Sequence, residues 1–385
     1  MNSQNNYGRV TKVIYLVLAC LTVLFCCAFL FGSGMINPDS KTYPNTFSGA
    51  FLDYLMDYAD RNRDGIISRT EYESVTEILI VGKKFQGQTM ERPDGAKAVR
   101  YYPNAYVVDG DSFEWNGEWL LNFPNLKVLY LCGCRVDRLD LGGLPNLEEL
   151  YCTDNCLTEL DLRHNPQLRV VFCDRNKIKK LHLCEERPGR QFQLTMVDCS
   201  YNELSDLDIW GCFSLVYLRC VHNELTDLFI DTNYELQELY CQENFLRDLD
   251  VSDHEELSIL NCKFNILGKM DLRGCHALSY LNCGNNYLKE LDLSALYGVE
   301  RLECRNNELQ ELKVDLPAAL TYLDCAENEI VRLDLRGMKQ LEYLDCEGNL
   351  LKTLDVSGNT ELRELKYGYN ELSEVDTGNC PYLHK

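Results

Sequence analysis

The stretch LEELYCTDNCLTELDLRHNPQ, Leu147 to Gln167, decides the fold, because its pattern recurs along the chain every 21 residues. With the leading apolar residue as position 1, each unit reads L-x-x-L-x-C-x-x-N-x-L-x-x-L-D-L-x-x-x-x-x. Units start at Leu126, Leu147, Leu168, Leu194, Leu215, Leu236, Leu257, Leu278, Val299, Leu320, Leu341 and Leu362, with a remnant at Leu383. Only the third is longer, by five residues, and its extra segment CEERPGRQFQ carries Pro188-Gly189, a loop signal. The asparagine column runs unbroken from Asn155 to Asn370 through eleven units, too regular for chance.

In Leu150-Tyr151-Cys152 and its equivalents, apolar residues alternate with outward ones at strand spacing. A single coil cannot bury its own apolar residues, so neighbouring coils must stack and share one core, placing their strands in a parallel sheet. The asparagine follows the strand at the bend, where its amide can pair backbone groups left open by the turning chain.

These residues make the chain resemble the leucine-rich-repeat superfamily, in particular bacterial surface proteins of internalin type, over Leu126 to Leu383. The resemblance implies a repeat solenoid of α/β type, mostly β, that acts as a binding surface and not as an enzyme. Ligand identity does not follow from it.

Ten of the 20 cysteines fill position 6, from Cys152 to Cys346. A column in register along a stack needs only volume, and free cysteine packs as a small hydrophobe. Consecutive thiols lie a full repeat apart, which does not suit a metal site. Cys134 stands at the asparagine position of the first unit and Cys156 just past that position in the second, so a disulfide between them stays open.

Before the repeats, DRNRDGIISRTE (Asp60 to Glu71) resembles a twelve-residue EF-hand loop. Oxygen ligands for Ca2+ fall on Asp60, Asn62, Asp64, Ser68 and Glu71, with the carbonyl of Ile66 at position 7 and Gly65 at the sharp turn. FSGAFLDYLMDYA before the loop and SRTEYESVTEIL after it read as amphipathic helices. No second loop is visible in the sequence, so the expected ion is structural, ordering a small helical module, with a calcium-gated contact as the alternative.

Val13 to Phe31 is an uncharged apolar run preceded by Arg9 and Lys12. Nineteen helical residues nearly span a hydrocarbon core of about 30 Å. The basic flank predicts a single-pass anchor with the remainder outside the cell, and a cleaved signal peptide ending near Gly34 is the competing reading. The expected organisation is thus a tip and anchor over residues 1–34, an EF-hand-like module over 35–80, a solenoid cap over 81–125 with its tyrosines and tryptophans, and the repeat domain over 126–385.

Side chains at positions 3 and 5 project from the sheet. Tyr130, Tyr151 and Phe172 form an aromatic strip near the cap, and further along come Tyr217, Arg219, Tyr240, Tyr280, Tyr322, Asp324, Tyr343 and Asp345. Exposed aromatics at such places either recognise a protein, peptide or glycan, or stabilise the sheet by cross-strand stacking. A second acidic column at position 15, including Asp140, Asp161, Asp208 and Asp250, points to turn-capping of backbone amides, with a row of bound cations as the alternative.

Sixty acidic against 38 basic side chains give a net charge of −22, which argues against nucleic acid as a partner. The six histidines are scattered over different repeat positions and no nucleophile motif appears, so an extracellular hydrolase is the remote alternative. A passive envelope spacer without a ligand is the nearer one.

Overall fold

Leu150 and Tyr151 fall in the three-residue strand Glu149–Tyr151, which pairs with the residues 21 places along the chain on either side, because identical apolar positions in successive turns settle only in that register. The computed structural model describes residues 13–14, 59–60, 62–63, 68–82, 106–108, 120, 123–184, 192–294, 296–312 and 319–383, with backbone alone at 13–14 and 106–108. The chain divides into two units, Met1–Leu194 and Thr195–Lys385.

In the first unit, β1 (Val13–Ile14) and β3 (Tyr106–Val108) both pair in parallel with β2 (Glu77–Gly82). β2 pairs with β4 (Val128–Cys132), followed by β5 (Glu149–Tyr151) and β7 (Val170–Phe172), every pair parallel. On the return side of the coils, β6 (Glu159–Asp161) pairs with β8 (Lys180–His182).

The second unit runs β9 (Met196–Asp198), β10 (Tyr217–Arg219), β11 (Glu238–Tyr240), β13 (Ile259–Asn261), β15 (Tyr280–Asn282), β16 (Arg301–Glu303), β17 (Tyr322–Asp324), β18 (Tyr343–Asp345) and β19 (Glu364–Lys366), again all parallel. Its return side holds β12 (Asp248–Asp250) paired with β14 (Lys269–Asp271). Each unit is therefore a mostly-β parallel-sheet solenoid. Its core is the leucine columns, where residues such as Leu236, Leu239 and Leu246 are fully buried. Each such side chain contributes about 1.5–3 kcal/mol.

The asparagines do what their place after the strand predicts. Asn244 Oδ1 accepts the N–H of Leu225 in the preceding turn, while Nδ2 donates to the carbonyls of Cys220 and Cys241. The same bonding recurs at Asn265, Asn286, Asn307, Asn328 and Asn349. Position 8 just before each asparagine is left-handed, with φ from +52° to +67° between Gly133 and Tyr369, mostly on non-glycine residues. Such a conformation costs a side-chain-bearing residue about 1–2 kcal/mol. The asparagine bonds hold it in place.

Cys134 substitutes at this position in the first turn, and its Sγ faces the carbonyls of Ile80 and Cys132 at 3.7 and 3.3 Å, so the thiol stands in for the amide donor. That inward aim corrects the possible Cys134–Cys156 disulfide: both cysteines are free. The ten position-6 residues are buried cysteine thiols, and burial pushes thiols such as Cys283 up to about 12, which keeps them protonated. Cys184 and Cys212, outside the column, are each disulfide-bonded, which the repeat pattern did not reveal.

The amino-terminal region departs from expectation in one respect. SRTEYESVTEIL forms only α1 (Arg69–Tyr72), and Glu77 onward is β2. The β-branched residues Val75, Thr76, Ile78, Ile80 and Val81 favour a strand, and the first repeat offers them an open sheet edge. The boundary expected between 80 and 81 thus falls inside a strand. Of the apolar run 13–31 only Val13 and Ile14 are described, and they are extended in β1; the expected anchor otherwise lies outside the described residues. No helix among the described residues is long and apolar enough to cross a membrane. The segment FSGAFLDYLMDYA lies outside them too, apart from Ala59, as do Tyr101, Tyr102, Trp115 and Trp119.

Candidate functional site

Because strand side chains alternate, β16 to β19 place positions 3 and 5 on one outward face, and there Tyr322 and Tyr343 stack with ring centroids 4.1 Å apart and planes within 1°. The Arg301 guanidinium lies 3.6 Å over Tyr322, and Lys366 Nζ lies 5.1 Å from the Tyr343 ring. Cation, ring, ring and cation form one row across four strands, each contact worth about 0.5–1 kcal/mol at an exposed site. Lys366 Nζ also donates to the Tyr343 hydroxyl at 2.9 Å.

Asp324 and Asp345, two residues on in the same strands, stand beside this row, each only 4% exposed. Asp324 accepts from Ala326 N and from Arg305 Nη1 at 3.2 Å, and burial still holds its carboxyl above the usual range. Asp345 accepts from Glu347 N and lies 3.9 Å from Lys366 Nζ. The platform is thus rigid, half-exposed and charged in both senses.

The aromatic strip of the first unit behaves otherwise. Tyr130, Tyr151 and Phe172 cover one another, with centroids 5.4 Å apart at both steps, and only 6–8% of each is exposed. Their geometry is that of cross-strand stacking. In the second unit Tyr217 is buried against Tyr240, whose hydroxyl donates to Glu238, and Arg219 lies 4.0 Å from Asp198. Tyr280 is half-buried and donates to Glu303.

Of the loop Asp60 to Glu71, Arg61, Asp64, Gly65, Ile66 and Ile67 lie outside the described residues. The rest closes on itself: the Glu71 carboxylate accepts from Ser68 N and Ser68 Oγ, both at 2.8 Å, and from Asn62 N at 3.4 Å. Asp60 and Glu71 are both buried. These contacts are a capping box of α1 together with the backbone N–H of Asn62, and among the described residues no three His, Cys, Asp or Glu side chains gather as a metal-holding group.

The position-15 aspartates cap turns as expected: Asp140, Asp208, Asp250, Asp292 and Asp355 each accept from the N–H two residues on. In three turns a position-17 arginine closes onto that carboxylate, Arg163 on Asp161, Arg273 on Asp271 and Arg336 on Asp334. These hydrogen bonds hold Asp161 and Asp334 down at about 2.

Residues 124–164 match the family described as Leucine Rich repeats (2 copies). Among solved structures the chain is similar to the functional domain of InlJ from Listeria monocytogenes, which includes a cysteine ladder, at 27% identity and a TM-score of 0.64 over 81% of this chain. The match spans 62% of that InlJ chain. It is similar also to YopM, a leucine-rich effector protein from Yersinia pestis, at 28% identity and a TM-score of 0.55, covering 68% of this chain and 70% of that one. A leucine-rich-repeat protein of Leptospira interrogans shares the fold at 20% identity and a TM-score of 0.58, over 82% of this chain and 90% of that one. A search of curated protein sequences gives no match. The cysteine and asparagine ladders, the register of 21 and these likenesses agree: the chain is a leucine-rich-repeat protein with internalins among its structural neighbours.

Proposed function

We propose that the chain is a non-enzymatic binding protein displayed on the outer face of a cell membrane, and that the sheet face of β16 to β19 engages a protein, peptide or glycan. The fold is one typically used for protein binding. The observation that carries the reading is the row Arg301, Tyr322, Tyr343 and Lys366, two pre-stacked rings held between two cations beside buried carboxylates. Rigid aromatic side chains flanked by arginine are the composition of interface anchors, because they lose little conformational entropy on binding. The sheet face is only partly covered by its own stacking here, in contrast to Tyr130, Tyr151 and Phe172.

The test is to screen the segment after residue 34 against glycan and protein arrays and then titrate the hits. A Tyr322→Ala, Tyr343→Ala double variant should weaken the ligand at least tenfold, about 1.4 kcal/mol. No saturable ligand, or a ligand indifferent to both substitutions, would favour the alternative, a passive envelope spacer.

The same reading includes Ca2+ in the loop Asp60 to Glu71 as a stabiliser of the amino-terminal module. Its support is the spacing of Asp60, Asn62, Asp64, Ser68 and Glu71 and the burial of Asp60 and Glu71. With a Kd in the range of extracellular modules, about 10⁻⁴–10⁻³ M, a hundredfold excess of Ca2+ should raise the module's stability by about 2.7 kcal/mol. Glu71→Gln should abolish the gain. Identical melting curves in Ca2+ and in chelator would remove the ion from the account.

A further inference from the structure

Two turns in the second unit break the pattern of the return side together. At position 17 the other turns carry glycine, serine, cysteine, aspartate or arginine, none of them aromatic, whereas here stands Trp210, 56% exposed. At position 15 of the following turn, where the aspartates cap their bends, stands Phe229, 72% exposed. That turn gives up a capping hydrogen bond and presents a bare ring to water, a loss on both counts if stability were the only demand.

The two rings wall a cavity of about 270 Å³ whose other lining residues are Asp206, Leu207, Asp208, Ile209, Asp231 and Thr232. Leu207 and Ile209 are buried beneath it. Three carboxylates stand at the cavity, and no basic side chain lines it. Asp208 Oδ1 accepts from Trp210 N, leaving Oδ2 as its acceptor toward a ligand.

The repeat itself shows what fits such a carboxylate. Arg273 donates to both oxygens of Asp271, with Nε at 2.9 Å from each and Nη2 at 2.5 Å from Oδ2, and Arg336 does the same at Asp334. In the turn of Asp208, as in those of Asp140, Asp250, Asp292 and Asp355, no arginine follows the carboxylate, but here alone among them the position-17 residue, Trp210, supplies an aromatic face beside it. A planar cation bonds a carboxylate in its plane and stacks on a ring through its face, which this arrangement provides at once.

We propose that the cavity between Trp210 and Phe229 is a second binding site, which receives the guanidinium of an arginine side chain carried by a protein partner. The guanidinium pairs with Asp208, stacks against Trp210 and Phe229, and has Asp206 and Asp231 at its rim. Net charge −22 concentrates such a basic partner near the surface, while the rings select arginine over a compact ammonium group. The site is independent of the sheet face argued above.

The whole exported segment is titrated with acetyl-Gly-Arg-Gly-amide, and with citrulline and lysine versions, while the Trp210 indole N–H signal is followed by NMR. The arginine peptide should shift that signal saturably, with citrulline at least tenfold weaker and lysine in between. Asp208→Asn keeps an oxygen for the Trp210 N–H and removes only charge; it should weaken arginine binding at least fivefold and leave citrulline unchanged. Phe229→Ala should weaken arginine binding as well. A lysine peptide that binds as well as arginine would reduce the site to a nonspecific acidic patch and overturn the proposal. So would a citrulline response equal to that of arginine, or arginine binding unchanged in Asp208→Asn.

Discussion

Replacing Asn244 by alanine should lower the stability of the chain by about 3 kcal/mol, most of it from a single orphaned N–H. Asn244 is buried, and its Oδ1 is the acceptor recorded for Leu225 N at 3.1 Å. The carbonyls it serves are better protected: Cys220 O also accepts from Asn223, and Cys241 O also accepts from Asn265. Loss of the amide therefore strands one donor, at about 1–3 kcal/mol, and removes two shared bonds at about 1 kcal/mol or less each. Asn244→Asp keeps the acceptor but turns an oxygen toward Cys220 O and Cys241 O, and should be at least as damaging. The exposed Gln237→Ala sets the baseline, within about 0.5 kcal/mol of the parent. Urea midpoints compare the three; an Asn244→Ala value near that of Gln237→Ala would mean that the ladder holds nothing together.

That ladder was readable from sequence because its cause is strictly periodic. An amide after each strand, a thiol inside it and leucines at fixed offsets repeat whenever the chain completes a turn, so the parallel register of β9 to β19 followed from spacing alone. Capping by the acidic column was equally legible, since aspartate two residues before an N–H needs no tertiary context. What the period does not encode was harder to see. Glu77–Gly82 lies outside the repeats, and its helical spacing yields to the open edge of β4. The aromatic columns could not reveal that Tyr130, Tyr151 and Phe172 bury each other while Tyr322 and Tyr343 remain half-exposed. Trp210 and Phe229 carried a visible signal, each being the wrong residue for its column, but the signal lay in a departure from the pattern.

Gly82→Ala should cost about 3 kcal/mol, at the upper end for overpacking, and should act first on the strand that covers the first repeat. A Cβ built on Gly82 would lie 2.0 Å from the carbonyl oxygen of Gly133 and 2.9 Å from its carbon. Both are backbone atoms, so no side chain can swing aside. Gly133 cannot retreat easily either: it is held at φ +67° and its N–H donates to Thr153 O. The strain must go into β2, which would lift from β4 at the end where Cys134 Sγ faces Ile80 O. Hydrogen exchange should then show lost protection at Ile80 and Val81 while the amides of β16 to β18 keep theirs. Gly268→Ala, where the added Cβ meets nothing within 4 Å, is the matched control and should be neutral or slightly stabilising. Protection at Ile80 unchanged in Gly82→Ala would show that β2 does not bear on the first turn, and that the leucines of β4 are covered by some other part of the chain.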